Sequence, residues 1–222
     1  MRLLVINPNS STSVTQHIAA AARMAANAND EILAVEASGA PPLIVSEADS
    51  RLAEQAVVNT VRSIASPLDG VIVASFGDTG ADALRAFLPC PVVGIGHASL
   101  LTAAALGGPF AIVSFAPAVV PSMQAMVEHY QMQHLLSGIH VINTPLPDDP
   151  GEIQATTADA LQALCQQVAQ QGSCRSIILA GGPLAGLALR IAPALPLPII
   201  DATMAAMQLQ RSLQLFGGRA DK

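Results

Sequence analysis

Short β-branched runs alternate with longer alanine- and leucine-rich stretches along the whole of the 222-residue chain. The apolar runs predict strands near Leu3–Asn7, Glu31–Glu36, Gly70–Ser75, Pro91–Ile95, Phe110–Phe115, Ile139–Asn143, Ser176–Ala180 and Pro198–Ile200. Helices fill the gaps, the clearest at Ser11–Ala25, Ala48–Ala65, Pro117–Gln131, Ile153–Gln171 and Thr203–Leu215. Strand-helix alternation of this kind predicts an α/β fold with mostly parallel sheets and right-handed crossovers.

The pattern repeats. Val71-Ile-Val-Ala-Ser-Phe-Gly-Asp-Thr-Gly80, a helix and Pro91-Val-Val-Gly94 parallel Ile177-Ile-Leu-Ala-Gly-Gly-Pro-Leu-Ala-Gly186, a helix and Pro198-Ile-Ile-Asp201. Leu4-Val-Ile-Asn-Pro-Asn9 matches Ala111-Ile-Val-Ser-Phe-Ala116 at nearly the same offset. Two pseudo-symmetric lobes are therefore expected, residues 1–97 plus 202–222 forming one and 98–201 the other, with the chain crossing near His97 and returning near Asp201. In open α/β sheets ligands sit beyond the carboxyl ends of strands near a topological switch. Four such ends should then line one cleft between the lobes: Asn7–Ser11, Ser75–Thr79, Ser114–Phe115 and Gly181–Pro183.

Composition narrows the partners. Hydrophobic residues make up 51% and charged residues 12%, which suits sheets covered on both faces by helices and excludes disorder. The amino-terminal run shows no export signal, so a cytoplasmic enzyme is expected. Residues 98–127 carry no charge, but Gly107-Gly108-Pro109, Pro117 and Pro121 divide them too finely for a membrane span. A net charge of −6 with ten scattered basic residues offers no footprint for nucleic acid or anionic lipid. Cys90, Cys165 and Cys174 have no framework spacing and read as reduced thiols. A homo-oligomer binding a small molecule is expected.

Several chemistries drop out. The only lysine is Lys222, so pyridoxal phosphate has no internal Schiff-base partner. Neither the five histidines nor the cysteines show metal-ligand spacing, and no cofactor is expected. Gly94-Ile-Gly-His-Ala-Ser99 lacks the third glycine of a dinucleotide fingerprint and reads as tight strand-to-helix packing. Val73-Ala-Ser75-Phe-Gly77 partly matches a nucleophile elbow, which leaves open a hydrolase using Ser75 with His97 and Asp78 or Asp201. The plain alternative for Ser75 is a helix cap.

At these strand ends the chain resembles the hydantoin and allantoin racemase branch of the aspartate/glutamate/hydantoin racemase superfamily over nearly its whole length. The match is carried by Ile6-Asn-Pro-Asn-Ser-Ser11, Ser75-Phe-Gly-Asp-Thr-Gly80, Pro91-Val-Val-Gly-Ile-Gly96, Leu179-Ala-Gly-Gly-Pro-Leu-Ala185 and Pro198-Ile-Ile-Asp201. The resemblance implies two α/β lobes with the active site between them. It also implies a cysteine at each of two equivalent strand ends, one thiolate removing the substrate proton and the other thiol returning one to the opposite face. Those positions here are Ser75 and Gly181. Cys90 and Cys174 precede their strands and Cys165 falls within a helix, so none is expected at the cleft.

What the resemblance leaves is an anion- and carbonyl-binding pocket. Neutral donors would come from Asn7, Ser10, Ser11, Ser75, Thr79 and Ser114, and backbone amides from the turns at Phe76–Gly80 and Gly181–Leu184, with Phe115, Gly182 and Pro183 completing the walls. Proton movement would fall to water, Ser75, Asp78 or His97, although Asp78 equally suits a helix N-terminus. The expected substrate is a small carboxylate or a cyclic imide such as a hydantoin, processed through an enolate or oxyanion without the two-cysteine mechanism. Alternatives are a lyase resembling arylmalonate decarboxylase, which keeps one of the two thiols, a hydrolase using Ser75, or a non-catalytic binding homologue.

Overall fold

Among the described residues eight strands form two four-stranded sheets, each wholly parallel and each with the same internal order. A computed structural model describes residues 1–216. In the first sheet the order is β2 (Glu31–Glu36), β1 (Arg2–Asn7), β3 (Gly70–Val73), β4 (Val92–Gly94); in the second it is β6 (Leu136–Val141), β5 (Phe110–Ser114), β7 (Ser176–Leu179), β8 (Ile199–Asp201). The repeat read from the sequence is thus a repeat of topology.

The helices are α1 (Thr12–Ala25), α2 (Glu47–Arg62), α3 (Ala81–Arg85), α4 (Ile95–Ala105), α5 (Val120–His129), α6 (Ile153–Gln170), α7 (Leu187–Ile191) and α8 (Ala202–Gln214). Local signals set several starts. Ser11 caps α1 by accepting from the Val14 amide, Ser46 and Asp49 form a reciprocal capping box on α2, and Asp201 caps α8 by accepting from Met204. Pro117–Gln131 was expected as one helix; instead a 3-10 turn at Pro117–Val119 leads into α5, and the chain breaks by Gln131, whose φ is 57°. Strand β6 begins and ends earlier than the expected Ile139–Asn143, because its register follows β5, whose last residue, Ser114, pairs with Val141.

The first sheet buries two faces differently. Leu4, Ile6, Val71 and Val73 pack under α2 and α3, while Leu3, Val5, Ile72 and Val93 join a core continuous with the second sheet. Helix α4 leaves β4 and packs on β7 and β8 of the other sheet; α8 leaves β8 and packs back on β3 and β4, and the two helices lie against each other. No helix among the described residues is long and apolar enough to cross a membrane.

Candidate active site

The turns after β3 and β7 are built on one plan. Ala74 donates to Ile6 and Ala180 to Val113, which carries each strand end alongside its neighbour. The Asp78 amide then closes on the Ser75 carbonyl and the Leu184 amide on the Gly181 carbonyl. Each turn ends in a left-handed glycine, Gly80 at φ 89° and Gly186 at φ 85°, that starts a five-residue helix. The turns meet directly: a Cβ on Gly182 would lie 2.8 Å from the Ala74 carbonyl oxygen, so only glycine allows this approach.

Between them lies a cavity of about 60 Å³. Ser75, Phe76, Thr79, Phe115, Gly181, Gly182 and Pro183 line it, as expected from the sequence. Among the described residues the amides of Phe76, Gly77, Gly181 and Gly182, all on lining residues, have no acceptor within the protein. Such unspent donors suit a carboxylate or a carbonyl oxygen gaining negative charge. The Ser75 hydroxyl accepts from the Thr79 amide at 3.1 Å. Opposite the hydroxyl-bearing turn, Gly181 adopts φ 125°, and a Cβ there would fall 2.7 Å from the Phe115 ring.

The other sequence-nominated donors serve the frame. Asn7 is buried and donates to Asn9, Thr15 and the Ser11 carbonyl. Ser11 caps α1 and also contacts the Ser13 hydroxyl; the Ser10 amide donates to Pro41. Ser114 is fully buried and donates to the Ala180 carbonyl at 2.7 Å, tying β5 to the end of β7. None of these four lines the cavity; Asn9 does, two positions beyond the residue the motif suggested. Ile44 from the segment leading into α2, Ser50 of α2 itself, and Ser122 and Met123 of α5 also line it. Sequence reasoning centred on strand ends gave no signal for these side chains, which arrive by packing of helices across the opening.

Asp78 turns away from this cavity toward a larger one of about 630 Å³, which shares Ile44, Ser50, Gly77 and Ser122 with the first. Its carboxylate accepts from the Gly96 amide at 2.8 Å and the His97 amide at 3.0 Å, and from the Tyr130 hydroxyl at 3.4 Å. It therefore caps α4, whose own N-cap is a side-chain-less Gly94. Burial nevertheless pushes its pKa up to about 7, against the lowering effect of those hydrogen bonds. A Cβ at Gly94 would lie 2.0 Å from that carboxyl carbon and one at Gly96 2.1 Å from the Phe76 carbonyl oxygen. The glycines of the Gly94-Ile-Gly96 stretch thus make room for this contact.

His97 is half-buried and stacks flat on Tyr130, ring centroids 3.9 Å apart. Burial, then Arg85 and His129, lower its pKa and favour the neutral ring. Among the described residues no hydrogen bond links Ser75 to a histidine, and Asp201 is spent on the amides of Gly186 and Met204. Serine-triad geometry is not assembled. Cys90 is half-buried beside the α2 layer, and Cys165 and Cys174 are in the core. None lines either cavity, and burial raises all three thiols, Cys165 to about 12. Lys222 lies outside the described residues.

A family model described as Asp/Glu/Hydantoin racemase matches residues 3–209. A hydantoin racemase from Paenarthrobacter aurescens is 29% identical over 224 aligned positions, covering 100% of this chain and 94% of that protein. An allantoin racemase from Klebsiella pneumoniae superposes with a TM-score of 0.92 at 29% identity, covering 98% of this chain and 89% of that one. A glutamate racemase from Bacillus anthracis shares the fold, with a TM-score of 0.63 at 18% identity over 99% of this chain and 84% of that one.

Proposed function

The chain belongs to the Asp/Glu/hydantoin racemase family of isomerase-type enzymes, and from that premise we propose that it acts on a small carboxylate or hydantoin-like cyclic imide through a stabilised enolate, without cysteine. The observation that carries this reading is the set of unspent amides at Phe76, Gly77, Gly181 and Gly182 around a cavity with no thiol. Donors fixed in place before reaction stabilise charge that develops on a carbonyl oxygen.

Proton delivery in this reading is one-sided. Ser75, or a water held by it, stands on one wall, whereas the opposite wall offers glycine backbone and the Phe115 ring. Inversion at carbon needs acid/base groups on both faces. The Phe115 ring against Gly181 therefore favours a second reading, a lyase in which carbon dioxide leaves with its bonding pair retained on the substrate as the enolate. A single proton added to the α-carbon then completes the reaction.

Hydantoins, amino acids and substituted malonates incubated in deuterium oxide, followed by polarimetry and mass spectrometry, test both. Expected is α-deuteration or decarboxylation that survives alkylation of Cys90, Cys165 and Cys174. Turnover lost in step with modification of one thiol, and protected by substrate, would overturn the cysteine-free mechanism; binding without turnover would reduce the protein to a binding homologue.

A further inference from the structure

The smaller cavity, at about 60 Å³, holds the equivalent of a few waters, room for a reacting carbon and its carbonyls but little more. The wall at Ile44, Ser50, Gly77 and Ser122 is shared with a space roughly ten times larger, which can take a group attached to that carbon. The composition of that space is two-sided. Ile44, Val45, Ala118, Pro121, Ala125 and Met126 give an apolar length, and Asp78, Asp82, Arg85 and Tyr130 give a polar end.

The charges at the polar end are unequally satisfied. Arg85 is committed, its Nη1 to Asp82 at 2.6 Å and its Nε to the Val92 carbonyl at 3.1 Å. Glu47, at the rim, pairs with Arg51. Asp78 forms no ion pair among the described residues; its partners are two amides and a phenol, three donors to a carboxylate able to accept about four. A buried carboxylate without a cation is costly, and a cation brought beside it recovers part of that cost. An anionic group entering the same space would meet Asp78 and Asp82 with the one wall arginine already engaged.

We propose that the larger cavity is the side-chain subsite of the substrate and selects a substituent with an apolar stem ending in an amine or guanidine, held against Asp78. This rests on the smaller cavity being the reacting centre. The stem lies along Ile44, Pro121 and Ala125, and the terminal N–H groups donate to the remaining carboxylate lone pair.

Calorimetric binding at pH 8, where Asp78 is mostly ionised, would compare 5-methyl-, 5-butyl- and 5-(4-aminobutyl)hydantoin, with free n-butylamine as a separate probe. The aminobutyl compound is expected to bind about tenfold or more tighter than the butyl compound, the value of a charge-assisted hydrogen bond. Asp78→Asn should erase that preference. Should that variant not fold, Ala125→Lys, at an exposed position on the cavity wall, should erase it by supplying a competing cation. Equal or tighter binding of the butyl compound, or a preference that survives both substitutions, would overturn the proposal. If no hydantoin binds but n-butylamine binds wild type and not the variants, the reading of the smaller cavity fails while the cation subsite stands. If neither class binds, both fall.

Discussion

The turns after β3 and β7 share a backbone and divide the work. Both close through the same amide-to-carbonyl bond and both end in a left-handed glycine. The first turn carries a hydroxyl and a carboxylate, Ser75 and Asp78; the second has Gly181, Gly182, Pro183 and a buried Leu184 in the same places. One half of the cleft has kept side-chain chemistry and the other only shape. The carboxylates make the point again. Asp78 reaches from its turn to the start of α4, while Asp201 caps α8 and reaches back to the Gly186 amide of its turn. Each lobe ties its turn to the following long helix, from opposite ends of the link.

The contrast breaks first at Gly181. A side chain there meets a backbone at φ 125° and the Phe115 ring at 2.7 Å, so Gly181→Cys should lower stability by about 3–5 kcal/mol, measured by urea denaturation. Ser75→Cys, swapping one small side chain for another, should cost about 1 kcal/mol or less. Equal costs would show that the second turn is not held by shape. Together the two substitutions should permit slow racemisation of the substrate, to the extent that Phe115 gives way, whereas either alone gives little racemisation.

Asp78 provides the next test. Its carboxyl holds a proton more readily folded, with pKa about 7, than unfolded, at the ordinary 3.8. Its contribution to stability is therefore full below about pH 4 and lost as pH rises toward 7, on the order of a few kcal/mol across that window. Asp78→Asn should flatten this part of the stability–pH curve. Asp201, also raised by burial, should leave a residual slope of the same sign. An unchanged curve would mean that Asp78 is ionised in its pocket at all of these pH values.

The smallest expected effect is at Ser75. Ser75→Ala removes the acceptor for the Thr79 amide and should cost about 1 kcal/mol of stability. Turnover should fall further than that, by about tenfold or more, if the hydroxyl also serves the proton transfer. Activity that follows stability alone would return Ser75 to the capping role.

Much of this was legible in the chain. The eight strands and the repeat follow from apolar runs bounded by glycine and proline, because strands buried on both faces admit little else. Ser75 and Gly181 on one cavity were likewise visible, as strand ends in matching units. What escaped was direction and distance. Asn7, Ser10, Ser11 and Ser114 have the right chemistry at the right end of the sheet, but Asn7, Ser11 and Ser114 are consumed by hydrogen bonds within the frame, and the residue of the first loop that lines the cavity is Asn9. Asp78, Arg85 and Tyr130 come together only through the packing of α3, α4 and α5, which no spacing in the sequence encodes.

The exchange of α4 and α8 between sheets also bears on how the protein is made. Residues 1–94 hold every strand of the first sheet, yet the face bearing Leu3, Val5 and Ile72 shares its core with Ala206 and Met207 of α8. On a ribosome that helix emerges only after the entire second sheet. At synthesis rates of about 5–20 residues per second, the part of that face which α1 does not cover stays open for several seconds. During that interval it is open to holding by chaperones or to association with other nascent chains, and the last helix ends the interval by closing both lobes at once.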